Sequence, residues 1–94
     1  MILTVKFVGA FRSISGKSKF TLKFEDIVSL REVVRKIAEE LPKLKRILID
    51  LELEDPRPNT LMLVNGKEVS VLNGLDTVLK DGDEVVFVPV VHGG

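Results

Sequence analysis

A chain of 94 residues in which 14 basic side chains balance 14 acidic ones has room for one core and no net charge to attract a polyanion, which argues against nucleic acid as a partner. The absence of cysteine excludes disulfides, thiolate metal sites, iron–sulfur clusters and a nucleophilic thiol. At this size about 60 to 65 percent of the unfolded surface can be buried, enough for one sheet with a helix across it but not for a deep cavity, so any chemistry is expected at the surface or at an end.

Met1 to Val8 (MILTVKFV) is rich in β-branched and apolar residues, and Lys19 to Phe24 (KFTLKF) alternates strictly, with Phe20, Leu22 and Phe24 on one face. These two strands, joined by a turn over Gly9 to Ser18 that carries Gly9, Gly16 and three serines, predict an N-terminal hairpin. Ser29 and Glu32 form the S-x-x-E capping box, and Leu30, Val33, Val34, Ile37, Ala38 and Leu41 follow at helical spacing, so a helix is expected there with Pro42 as its stop. On its charged face the spacing predicts the pairs Arg35 with Glu39 and Lys36 with Glu40.

Lys43 to Pro58 combines a possible helical turn (Leu44, Ile47, Leu48, Leu51) with a polar, proline-bearing loop, and the sequence leaves its form open. Thr60 to Val64 (TLMLV) predicts a central strand, Asn65-Gly66 a tight hairpin turn, and Lys67 to Val71 the returning strand. Leu75, Val78 and Leu79 are expected to plug the core, and Asp81-Gly82-Asp83 to lead into a last strand, Glu84 to Val90. The order of elements suits an α+β fold with one helix across one face of a sheet. Residues 1–90 are expected to form the domain and residues 91–94 a tail with no reason to fold. The longest apolar run, Val85 to Val91, is broken by Pro89 and too short to span a membrane, and the N-terminus shows no signal pattern; a cytoplasmic protein is the expectation.

Standard constellations fail in turn. His92 has no cysteine to pair with and stands beside two glycines, and the glycines form neither G-x-x-x-x-G-K-[ST] nor G-x-G-x-x-G. The acidic stretch Asp50, Glu52, Glu54, Asp55 lacks the spacing and bend glycine of a calcium loop and reads as a solvated loop. What remains is Gly93-Gly94. Glycine loses the most conformational freedom when fixed, so this pair stabilises no fold, but an arm without Cβ atoms can pass a narrow slot in a partner and present its carboxylate.

Four segments together, VKFVGAFRSISGK (Val5 to Lys17), LVNGKEV (Leu63 to Val69), LKDGDEVVFVPVV (Leu79 to Val91) and the terminal Gly93-Gly94, resemble the sulfur-carrier branch of the β-grasp superfamily. That branch is typified by the small subunit of molybdopterin synthase and, more distantly, by the thiamine-pathway carrier and ubiquitin. Two departures are Pro89-Val90 in place of the usual double proline and a longer Pro42 to Pro58 region. The resemblance implies a ubiquitin-like β-grasp fold, a mixed sheet of four to five strands with one main helix on one face.

It also implies a protein that is a substrate rather than a catalyst. An E1-like adenylyltransferase, using Mg-ATP that this chain does not itself bind, would adenylate Gly94; a persulfide would displace AMP to leave a thiocarboxylate; and the large subunit of molybdopterin synthase, in a heterotetramer with two copies of each chain, would receive the sulfur. Gly93 would keep the arm thin. The family's apolar docking patch maps to Val8, Val69 and Val88 with Arg12 at its rim, and Val91 and His92 would be further partner contacts. No metal or cofactor is implied for the chain itself. The alternative implied use is as a ubiquitin-like modifier, the adenylated Gly94 being attacked by a lysine amine; a plain β-grasp interaction module is a third reading.

Overall fold

The computed structural model describes residues 1–90. Strand β1 (Ile2–Phe7) buries Leu3, Val5 and Phe7 and turns the alternate side chains outward. The segment after it is not the simple turn expected: Gly9–Ser15 forms a short helix, α1, closed where the Gly16 N–H donates to the Arg12 carbonyl at 2.9 Å. Its anchor is Phe11, buried with its ring edge-on to Phe7 at 6.4 Å between centroids. A seven-residue helix with one buried side chain has no apolar periodicity to read.

Strand β2 (Lys19–Lys23) returns antiparallel to β1, with Leu3 opposite Leu22 and Val5 opposite Phe20. It is a sheet edge, and its outward residues Lys19, Thr21 and Lys23 are of the kind that discourages pairing with another chain. A two-residue strand, β3 (Val28–Ser29), leads into the main helix α2 (Leu30–Glu40), whose buried face is Leu30, Val33, Val34, Ile37 and Ala38, as the spacing predicts. The Ser29 Oγ accepts the Glu32 N–H at 3.3 Å, which satisfies one otherwise unpaired donor of the first turn. The Glu32 carboxylate does not complete the box; it takes Arg35 at 2.9 Å, so the expected Arg35–Glu39 pair is replaced by Glu32–Arg35, while Lys36–Glu40 forms at 3.5 Å.

Pro42 both stops α2 and opens the next helix, α3 (Pro42–Leu48), because a missing N–H costs nothing at a first helical position. Leu44 and Leu48 are its buried pair. The loop that follows is tied by its own acids: the Asp50 carboxylate accepts the Glu52 and Leu53 N–H groups at 3.0 Å, and Asp55 binds the Arg57 guanidinium. That bond holds the Asp55 carboxyl below the usual carboxylate range against the opposing effect of burial. The acidic stretch is thus occupied in shaping its own loop.

Strand β4 (Thr60–Val64) and the two-residue β5 (Lys67–Glu68) flank Asn65 and Gly66, at φ of 50° and 83°, the two positive values a tight hairpin turn requires. The returning strand stops at Glu68 rather than Val71. The Glu68 carboxylate takes the Ser70 N–H at 2.7 Å and the chain enters a single 3-10 turn over Val69–Val71. After a second such turn at Gly74–Asp76, strand β6 (Val78–Leu79) pairs with β3. Leu75 and Leu79 are in the core as expected, but Val78 is 54% exposed, since alternation in β6 sends it out where Leu79 goes in.

The last strand, β7 (Glu84–Pro89), runs between β1 and β4, parallel to the first and antiparallel to the second, giving a sheet order of β2-β1-β7-β4-β5. The helices α2 and α3 join one core with the inward side chains of that sheet. This is an α+β, ubiquitin-like β-grasp fold. No helix among the described residues is long and apolar enough to cross a membrane.

Candidate functional site

Gly93 and Gly94, with Val91 and His92, lie outside the described residues. What the structure shows is the place they continue from and the sheet face beside it.

Two hydrogen bonds frame the end of β7. The Phe87 carbonyl accepts the Val8 N–H at 3.3 Å on the β1 side, and the Val90 N–H donates to the Asn59 carbonyl at 2.9 Å on the β4 side. Backbone groups alternate between the two sides, so position 89 faces the side from which β1 has already turned away into α1. A proline there removes no ladder bond.

On the inner face, Val5, Phe7, Met62, Val64, Val85 and Phe87 are buried. The register then fixes the outer face: Leu61 stands opposite Val88, Leu63 opposite Val86, and Lys6 beside Val86. Val8 continues the extended backbone of β1, at φ −126° and ψ 163°, and so points outward next to Val88. Val8 is 39% and Leu61 37% exposed, and Leu63, Val86 and Val88 are half-buried. An apolar patch therefore covers the outer sheet up to the root of the last four residues. Its far edge carries the Lys6–Glu84 ion pair at 3.0 Å, both partners well solvated and worth at most about 1 kcal/mol.

Of the residues assigned to this patch from the sequence, Val8 and Val88 are in it. Val69 is not: the Asn-Gly turn puts Glu68 opposite Leu63 on the outer face, so the next residue turns inward, and Val69 is 2% exposed in the core. Arg12 is exposed, on the last turn of α1, where it lines a shallow open hollow with Gly9, Ser13, Gly16 and Ser18. Among the described residues it makes no ion pair. Leu61, Leu63 and Val86 were missed by sequence reasoning because TLMLV and VVFV are apolar on both faces. The signal that finds them is the pairing of β4 with β7.

An exposed apolar face of this kind is one that a partner can cover. Among the described residues no group of three or more His, Cys, Asp or Glu side chains could hold a metal. Asp55 and Arg57, each holding the other in its charged form, are in the loop between α3 and β4.

Comparison with known proteins agrees with this fold. The chain is similar to "Small archaeal modifier protein 3" of Haloferax volcanii, 34% identical over 94 residues and over the full length of both chains. It is also similar to the solution structure of small archaeal modifier protein 1 from Methanosarcina acetivorans, at 28% identity and a TM-score of 0.85, covering 99% of this chain and 96% of that one. A protein–protein complex of subunits 1 and 2 of the molybdopterin-converting factor from Helicobacter pylori matches at 28% identity and a TM-score of 0.63, with all of both chains covered. The ThiS family model matches residues 5–94. With the fold and a family match over residues 5–94 in agreement, the chain belongs to the ThiS family.

Proposed function

We propose that Gly94 is the working residue, a carboxylate activated by adenylation in an E1-like partner and converted to a thiocarboxylate. The observation that carries this reading is the full-length match to a small archaeal modifier, which extends through the terminal Gly93-Gly94.

A carboxylate is a poor electrophile because its leaving group would be oxide. In the partner, a Gly94 carboxylate oxygen attacks the α-phosphorus of Mg-ATP, and pyrophosphate leaves. The terminal sulfur of a persulfide then attacks the acyl carbon and AMP leaves, giving an acyl disulfide. A thiol cleaves its S–S bond, taking up the donor's sulfur as a disulfide and leaving the thiocarboxylate on Gly94. A sulfide ion can make the same product in one displacement of AMP. The chain is the substrate throughout. Mg-ATP belongs to the partner.

Two uses of the activated end follow. Attack by a lysine amine would make an isopeptide bond to Gly94, a protein-modifier role favoured by the likeness to the archaeal modifiers. Delivery of sulfur to a pterin precursor in a molybdopterin synthase is the second reading, favoured by the likeness to the Helicobacter pylori complex. Incubation with an active E1-like enzyme, ATP and sulfide should add the mass difference of sulfur for oxygen. Lysine-linked conjugates in cells would then support the modifier use, and a heterotetramer with a molybdopterin-synthase large subunit at micromolar concentration the other.

The docking face gives a separate expected result. Leu61→Asp or Val88→Asp places a charge in the centre of the apolar patch, and a charge desolvated without a partner costs on the order of 2 kcal/mol or more at an interface. The concentration of this protein needed for half-maximal activation should rise more than about tenfold, with the unfolding temperature little changed for the exposed Leu61 position. An unchanged requirement in both variants would place docking elsewhere.

A further inference from the structure

Among the glycines of the described residues, Gly9 is set apart by its surroundings. It has a φ of +58°, and a Cβ built on it would stand 3.2 Å from the Pro89 Cγ and 3.6 Å from its Cδ. Gly16, Gly66 and Gly82 also have positive φ but have nothing within 4 Å of that position, and Gly74 would meet only the far end of the Arg57 side chain, at 3.8 Å. Gly9 is thus the position where backbone conformation and lack of space both call for glycine. Its neighbour is the last residue of β7.

The consequence lies in where Pro89 stands. Its ring fills the space left as β1 turns into α1, and its own φ is fixed near −65° by the pyrrolidine. The following residue is held from the other side by the Val90 N–H bond to the Asn59 carbonyl at 2.9 Å. Val90 is therefore gripped between two fixed points, and its position relative to the outer docking face is set by how closely Gly9 lets Pro89 approach. Beyond Val90 four residues remain, whose contour is at most about 14 Å. A shift at Val90 is thus passed toward Gly94 over a short span of chain.

We propose that Gly9 is a positioning residue for the reacting terminus: it sets, through Pro89, the point and direction from which residues 91–94 leave the docked domain. This rests on the reading of Gly94 as the reacting group. Among the described residues Gly9 meets the Pro89 ring, so its substitution is expected to act on alignment. Misplacement by about 1 Å can cost a hundredfold in rate, so a displacement of a few tenths of an ångström is worth about tenfold.

The test is ATP–pyrophosphate exchange with an active E1-like enzyme, resolved into kcat and the KM for this protein. Gly9→Asn is the main variant, because Asn tolerates positive φ better than other side chains and so separates crowding from backbone strain. Gly9→Ala, which adds only the Cβ, is the second. Gly9→Asn should lower kcat about tenfold with KM within about twofold, and Gly9→Ala should lower it less. Removing the ring atoms that are struck, in Gly9→Asn/Pro89→Ala, should restore kcat to within about threefold of the unsubstituted protein. A merely structural role would lower stability without this kcat effect and without rescue. Unchanged kcat in Gly9→Asn and Gly9→Ala, or no rescue in the double variant, overturns the proposal as long as deletion of Gly94 abolishes exchange. Exchange that survives deletion of Gly94 overturns the reading on which it rests.

Discussion

Deleting Gly94, or adding one residue after it, is expected to lower ATP–pyrophosphate exchange with the activating enzyme by about a hundredfold or more. The electrophile must sit in line with the α-phosphate of ATP, and one residue is about 3.5 Å of chain, several times the misplacement that already costs two orders of magnitude. The fold supplies a contrast that makes this decisive. The core among the described residues is formed by side chains from Leu3 to Phe87, and glycine has no side chain to add to one, so the unfolding temperature is expected to stay within about a degree. Measuring both quantities on the three proteins separates a reacting terminus from a structural one. Exchange retained in both altered proteins would refute the assignment of Gly94. Exchange lost together with a large fall in stability would mean that the end of the chain is part of the fold.

The largest effect on stability is expected at Phe7. It is 1% exposed and lies within 6.4 Å of Phe11, 5.3 Å of Phe20 and 6.0 Å of Phe87, so it joins α1, β2 and β7 to β1. Phe7→Ala removes its buried ring and leaves a cavity that three further rings cannot fill without leaving their rotamers, at a cost of about 3 to 5 kcal/mol. In a domain of this size that lowers the unfolding temperature by roughly 15 to 30 °C. Phe7→Leu, which refills most of the volume, should cost less than half as much. Denaturant midpoints for the two variants check this, and a loss below about 1 kcal/mol in Phe7→Ala would show that the aromatic cluster is not the junction of the core. Because Phe7 also precedes Val8 and Gly9, its loss should loosen the root of the tail.

How much of this was legible in the sequence depended on whether a signal was local. The helix α2 carries its own cap and its own periodicity, and Asn65-Gly66 fixes its turn through backbone conformation alone, so both were readable. Pro42 was readable as a stop, but its second role as the start of α3 depends on Leu44 and Leu48 finding the core, which is tertiary information. In α1 only Phe11 is buried, too little to make a pattern. The site divides in the same way. Gly93-Gly94 stands out because nothing in a fold calls for it there, whereas the docking face needs the register of β4 against β7. Val8 and Val88 were placed through the family resemblance rather than by alternation, and Leu61, Leu63 and Val86 sit in runs that are apolar on both sides. Val69 was misplaced for want of another register, that of β5 against β4.

The most direct test of the account is the mass of the C-terminal proteolytic fragment after incubation with an active E1-like enzyme, Mg-ATP and a sulfide source. The account predicts that the fragment ending in Gly94 gains the mass difference of sulfur for oxygen, that the gain requires ATP, and that a thiol-alkylating reagent then adds to the same fragment. An unchanged fragment with a demonstrably active partner, or sulfur found on any other fragment, would contradict it.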